Sequence, residues 1–154
     1  MKYMGTLITV SDIGRSRRFY ESLFGLEVFQ DYGKCVGFSC GLSLMQDFGE
    51  LAGIPDDEVI KGMNSTELYF EEDDMDGFLK KLKACPKIKY LHEVREYPWG
   101  QRVIRFYDPD DNLIEVGEDM RMVVKRFISS GMSEEETAKR MNISLGDLGR
   151  LLNG

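Results

Sequence analysis

Arg105 and Glu115 flank the run Asp108-Pro109-Asp110-Asp111-Asn112. A turn over that run folds QRVIRFY and NLIEVGE into a hairpin, which pairs Tyr107 with Leu113 and therefore Arg105 with Glu115. Alternation puts Leu113 and Glu115 on one face of the strand and Ile114 and Val116 on the other. Opposite charges set across a hairpin make a charge-assisted hydrogen bond. The pair reads either as an anion or carboxylate anchor on Arg105, tuned by Glu115, or as a structural ion pair. His92, the single histidine, lies in the strand-like YLHEVREYPWG with Glu93 and Glu96 close by. Its imidazole suits proton abstraction near neutral pH, or it is an ordinary strand residue at the edge of solvent. In TELYF, Glu67 and Tyr69 share a face while Leu68 and Phe70 turn to the other. Tyr69 and Tyr107 offer a flat wall with a hydrogen-bonding tip for a small ligand, or simple sheet packing. Glu67 is a candidate ligand or a solvated carboxylate. Trp99, between Pro98 and Gly100, sits at a turn as a lid, a partner contact or a packed corner.

Other chemistry is excluded by what the chain lacks. One histidine rules out multi-histidine zinc sites and makes any metal site depend on carboxylates. The acidic run 71–76 does not have the spacing of a calcium-binding EF-hand loop and reads as a solvated helix start. No phosphate-cradling glycine loop, nucleophile elbow or H-E-x-x-H pattern occurs. Met45 and Met75 read as packing residues. Cys35, Cys40 and Cys85 cannot all pair, and none lies in a C-x-x-C, so free thiols in a reducing, cytoplasmic setting are expected. No stretch approaches 18 consecutive apolar residues, and the opening MKYMGTLITV lacks the pattern of a secretory leader.

The elements that must position these residues are legible from periodicity. The 154 residues suit one domain of ordinary size, and 42% hydrophobic content marks a globular chain. YMGTLITV reads as a strand, and SDIGRSRRFYESLFG as a helix capped by Asp12 or a neighbour and ended at Gly25. LEVFQDY, KCVGFSC and LSLMQDF are three short strands divided at Gly33-Lys34 and Gly41. GELAGIPDDEVIKGMNS is a connecting stretch with room for a short helix. The order then repeats. STELYF is a strand, EEDDMDGFLKKLKAC a helix with acids first and lysines last, and IKYLHEVREY, QRVIRFY and NLIEVGE are three more strands. Asp12 matches Asp74 across the repeat, and repeats decide a fold more than single residues do. The fold class is therefore α+β, two tandem βαβββ units followed by C-terminal helices.

Charge marks a boundary. The net charge is -7, which disfavours nucleic acid as the partner of the body. Residues 1–118 hold 14 Lys and Arg against 22 Asp and Glu; residues 119–154 hold 6 against 5. The chain divides at that point into a domain, 1–118, and a helical extension, 119–154. DMRMVVKRFISSG is amphipathic, and Ser133 with Glu136 fits a capping box. The last helices have the rhythm of a helix-turn-helix, but SLGDLGRLL carries one Arg, two Gly and one Asp, a poor phosphate surface, so nucleic acid is not expected there either.

Over residues 3–118 the two units, opening with VSDIGRSRRFYESLFGLEV and closing with RFYDPDDNLIEVGE, resemble the vicinal oxygen chelate superfamily. That group includes glyoxalases, extradiol dioxygenases, and bleomycin- and fosfomycin-resistance proteins. The resemblance implies that the two sheets are curved and form a cup with helices on the outer face. It also implies metal ligands, where present, at four cup positions. Here these fall on Gly5, on Leu44 (Ser43 if the register slips by one), on Glu67 and on Glu115. Two of the four cannot ligate, and Glu67 with Glu115 suffices only for weak Mg²⁺, Mn²⁺ or Ca²⁺ binding. The resemblance thus implies a homodimer that takes a small molecule in its cup, with no cofactor and without the standard catalytic metal. The alternatives are a metal-dependent lyase, isomerase or dioxygenase of glyoxalase type, and an antibiotic-sequestering resistance protein. Enzyme or binder is left open, and the ligand-pocket candidates are Glu115, Arg105, Glu67, Tyr69, Tyr107, Trp99 and His92.

Overall fold

A computed structural model describes residues 1–153. The chain runs β1 Thr6–Val10, α1 Ile13–Phe24, β2 Val28–Asp31, β3 Cys35–Phe38, β4 Leu42–Gln46 and α2 Phe48–Ala52. A 3-10 turn, Asp56–Glu58, leads to β5 Glu67–Glu72, α3 Met75–Ala84, β6 Lys89–Glu96, β7 Arg102–Tyr107 and β8 Leu113–Glu118. Three helices close the chain: α4 Met120–Ser129, α5 Glu134–Met141 and α6 Leu145–Asn153. The strands form two four-stranded sheets with equivalent orders, β1-β4-β3-β2 and β5-β8-β7-β6. This is the α+β fold of two βαβββ units with terminal helices that the sequence repeat predicts.

The repeat is visible at the helix entries. Asp12 and Asp74 each cap a helix, their Oδ1 atoms accepting from the backbone N–H of Arg15 and of Gly77 at 2.9 Å. An aspartate there satisfies one of the N–H groups that a helix start leaves open.

The chain divides into two compact units. The first holds Met1–Glu67 with Tyr107–Leu113. The second holds Leu68–Phe106 and the chain from Ile114 onward.

In the first unit β1 runs parallel to β4, with Ile8 against Leu44 and Val10 against Gln46. The Gln46 side chain accepts the backbone N–H of Ile13 at 3.0 Å, so this face looks toward α1. Leu44 is fully buried on it. This corrects the placement of Leu44 at a cup position. Alternation gives the opposite face to Ser43 and Met45, the side that Ser43 takes if the register slips by one.

The family-like signatures prove to be a buried polar network in this unit. The Tyr20 hydroxyl donates to Asp108 at 2.8 Å, and Asp108 also accepts from the backbone of Asp110 and Asn112. Asp110 accepts from the backbone of Ser11, the Ser16 hydroxyl and Arg15. Tyr20 from SRRFYESLFGL and the aspartates of YDPDDN thus lock the turn to the first helix. Burial pushes the Tyr20 hydroxyl well above its ordinary value, and the neighbouring Asp108 pushes it further.

In the second unit Ile114 and Val116 are buried, and Arg102 reaches Asp76 of α3. Ile114, Val116 and Arg102 therefore mark the helix side, and Glu115, Gly117 and Arg105 take the opposite face. Helices α4 to α6 pack on one another through Val123, Val124, Phe127, Ala138, Met141 and Leu148. The Ser133 capping box is formed in full.

Candidate functional site

Five of the seven candidate residues fall in the second unit, and hydrogen bonds join them in two groups. Arg105 and Glu115 form an ion pair, as their opposition across the hairpin predicts. Arg105 also donates to the Tyr97 hydroxyl at 2.6 Å and approaches Nε2 of His92 at 3.4 Å. Its guanidinium stands 5.9 Å from the centre of the Tyr97 ring. The Arg105 side chain keeps 22% of its surface exposed, and Glu115 keeps 10%. The guanidinium therefore remains within reach of a molecule from solvent while its counter-charge lies beneath.

The imidazole of His92 meets a partner at each ring nitrogen. Nδ1 lies 2.8 Å from the backbone oxygen of Glu93, which can only accept. Nε2 faces a guanidinium, which can only donate. A ring with its proton on Nδ1 satisfies both contacts and turns its Nε2 lone pair toward Arg105.

A second group continues from the turn after β6. Tyr97 and Trp99 stack with ring centres 4.8 Å apart and planes 25° from parallel. The Trp99 indole N–H donates to Oε1 of Gln101 at 3.1 Å. Nε2 of Gln101 donates to the Tyr69 hydroxyl and to the backbone oxygen of Glu118. The Tyr69 hydroxyl in turn donates to Glu71 at 2.8 Å. Partial burial raises the Tyr69 pKa, and the Glu71 carboxylate adds to the rise. Gly117 makes this meeting possible, because a Cβ there would lie 2.6 Å from Nε2 of Gln101 and 3.3 Å from the Tyr69 ring. The face thus carries a guanidinium, an imidazole and two stacked aromatic rings. That chemistry suits a molecule with an anionic group and a flat or apolar body.

Tyr97 and Gln101 are absent from the candidate set read from sequence. The signal was present in YPWGQ, where Tyr97, Trp99 and Gln101 recur at a spacing of two. The remaining two candidates lie in the first unit. Glu67 opens β5 and is exposed. Tyr107 ends β7 and is buried.

Of the four positions at which the resemblance implies metal ligands, two carry no ligating side chain in this chain. Gly5 has no side chain, and a Cβ built on it would lie 1.9 Å from the Gly41 backbone oxygen. Leu44 is apolar and on the helix side. The Glu115 carboxylate is already held by a guanidinium. Among the described residues no three His, Cys, Asp or Glu side chains gather in metal-binding geometry.

Comparison with known proteins places these features. Residues 3–121 match the family described as glyoxalase-like domain. A protein of unknown function from Agrobacterium tumefaciens str. C58 is 34% identical, with 77% of this chain and 94% of that chain covered and a TM-score of 0.67. Lactoylglutathione lyase from Agrobacterium tumefaciens is 26% identical, covering 75% of this chain and 91% of that one with a TM-score of 0.56. The fosfomycin resistance protein FosX from Mesorhizobium loti, 18% identical over 74% of this chain and 88% of its own, shares the fold with a TM-score of 0.54. No curated protein matches the chain.

Proposed function

The chain belongs to the glyoxalase-like domain family, and from that premise we propose that it binds a small carboxylate-bearing molecule on the face of its second sheet. Arg105 is the anchor, and no metal takes part in the contact. The observation that carries this reading is the partly exposed Arg105 guanidinium set among Tyr97, His92 and Glu115. A carboxylate approaching Arg105 gains a charge-assisted hydrogen bond, while the stacked rings of Tyr97 and Trp99 give its apolar body a wall. Glu115 competes for the same guanidinium, which holds the affinity down and favours ligands able to displace or share it.

Titration calorimetry with benzoate and with 2-oxo acids tests this reading. Arg105→Met should weaken binding roughly ten- to hundredfold, the range for a hydrogen bond to a charged group. Unchanged binding in that variant, or tighter binding of a cationic antibiotic of the bleomycin kind, would replace the anchor with an acidic, sequestering site.

A second reading rests on the His92 tautomer. An Nε2 lone pair beside the guanidinium that holds the carboxylate of a 2-oxo acid could accept a proton from C3, the carbon next to the oxo group, leaving an enolate. Deuterium exchange at C3 of a 2-oxo acid, the carbon next to the oxo group, followed by NMR and lost in His92→Gln, would mark an isomerase or lyase.

The same proposal includes a homodimer in a reducing, cytoplasmic setting. Cys35, Cys40 and Cys85 are free thiols, and no described helix is long and apolar enough to cross a membrane. Nucleic acid is left out because the Arg150 of α6 is paired with Asp147 on the same helix.

A further inference from the structure

We infer that the C-terminal helices position the aromatic wall beside Arg105, through a clamp on the turn that carries Tyr97 and Trp99. The proposal rests on the carboxylate-site reading for its effect on ligands, while the clamp itself is a feature of the free protein.

The turn is closed by the Gly100 N–H donating to the Tyr97 backbone oxygen at 2.8 Å and the Tyr97 N–H donating to that of Gln101 at 2.9 Å. One side of it bears the stacked rings of Tyr97 and Trp99. Helix α4 presses on it from elsewhere. Gly100 has φ +90°, and a Cβ there would lie 2.1 Å from the Phe127 ring. Only glycine both adopts that backbone and leaves room for Phe127. Arg126, the next residue to Phe127, donates to the Gly100 backbone oxygen at 2.5 Å and to Glu118 at 3.1 Å. The Arg126 and Arg140 guanidinium groups lie 5.1 Å and 6.0 Å from the centre of the Phe127 ring. Both also reach Glu96 at the end of β6, at 3.6 Å and 3.7 Å. Helices α4 and α5 therefore hold the turn by its backbone and by the strand that leads into it. The turn's side chains are left to face Arg105 and Gln101.

A helix that holds backbone without touching the candidate ligand face acts on binding through position alone. Trp99 is the only tryptophan in the chain, so its fluorescence reports on the wall without ambiguity. In the full-length protein without ligand, Arg126→Gln should shift Trp99 emission to longer wavelength and raise its quenching by acrylamide about twofold, since the loosened turn exposes more of the ring. Arg126→Lys, which keeps a donor for the Gly100 oxygen and a charge for Glu118, should restore most of the native signal. Arg150→Gln, at an exposed position of α6, should leave it unchanged. Benzoate affinity should fall about tenfold in Arg126→Gln and recover in Arg126→Lys.

The outcomes separate the two ideas. Wild-type protein that ignores benzoate defeats the carboxylate site, while the ligand-free Trp99 quenching still decides the clamp. Native quenching in Arg126→Gln, at unchanged helical content, overturns the clamp. If Arg126→Gln does not fold, Gly100→Ala serves, since its methyl group must displace either Phe127 or the turn. Native Trp99 emission in that variant is the overturning result.

Discussion

Glu115 shows how far a single residue can be read before a structure exists. Its partner followed from strand alternation and one turn, because a hairpin register is fixed by the turn that closes it. Tyr97 escaped the same reasoning. It lies outside β6 and reaches Arg105 only because the turn at 97–101 folds it back, which alternation along a strand does not encode. Leu44 failed for a related reason. A slip of one residue exchanges faces, and the counting that placed it had no turn to fix the register. If Arg105 is an anchor, Glu115→Gln should destabilise the fold by about 1–2 kcal/mol, since a neutral amide still accepts from the guanidinium but no longer balances its charge. The same change should tighten benzoate binding, because the ligand then supplies the missing charge. A double-mutant cycle with Arg105→Met, followed by urea denaturation and calorimetry, separates the two effects. A Glu115→Gln protein that loses stability with no gain in carboxylate affinity would make the pair purely structural.

Elements were the most legible level, since each helix and strand carries its own period and its own cap. The repeat of capping aspartates at Asp12 and Asp74 announced two equivalent units, and the structure gives both units the same strand order. The polar network that ties the 108–112 turn to α1 was not legible, because burial of charge leaves no periodic trace. Its pH behaviour follows from opposing shifts. Burial raises the Asp110 pKa, but hydrogen bonds from Ser11, Ser16 and Arg15 outweigh it and leave the group below its ordinary value. Glu118 is likewise lowered, Arg102 and Arg126 overcoming the effect of burial. Both carboxylates contribute stability in full above the ordinary carboxylate range and lose it as the pH falls through their lowered values. Asp108 is raised by burial despite its donors, so its contribution has the opposite sign and grows as the pH falls toward the ordinary value. Urea denaturation as a function of pH should therefore show a shallower acid limb in Asp110→Asn than in wild type and a steeper one in Asp108→Asn. Identical limbs in all three proteins would contradict these shifts. Within α5, Thr137 is fully buried and its hydroxyl has no hydrogen-bond partner. Thr137→Val keeps the shape and removes the unsatisfied group, so it should stabilise the protein by about 1 kcal/mol in thermal melts.

At the scale of the whole molecule, several large apolar side chains stand exposed. Phe29 on β2 is 72% exposed, and Tyr32 and Leu51 of the same unit are 70% and 65% exposed. Leu91 and Val94 on β6 are exposed as well. Both strands are sheet edges, β2 at the end of the first order and β6 at the end of the second. Edge strands with apolar side chains invite pairing unless something covers them, and a second copy of the chain is the cover most readily at hand. The charge pattern permits this, since Val28, Phe29 and Gln30 form an uncharged stretch between Glu27 and Asp31. The exposure of these side chains was only partly readable from sequence, because it depends on which neighbour folds over each of them. Light scattering at micromolar concentration should give the mass of a dimer, about twice 17.7 kDa. Phe29→Lys should shift the mass toward the monomer while Leu91→Lys tests the other edge separately. Whichever variant dissociates the dimer identifies the edge that forms it. A wild-type protein that scatters as a monomer across that range would leave these apolar edges to some other partner.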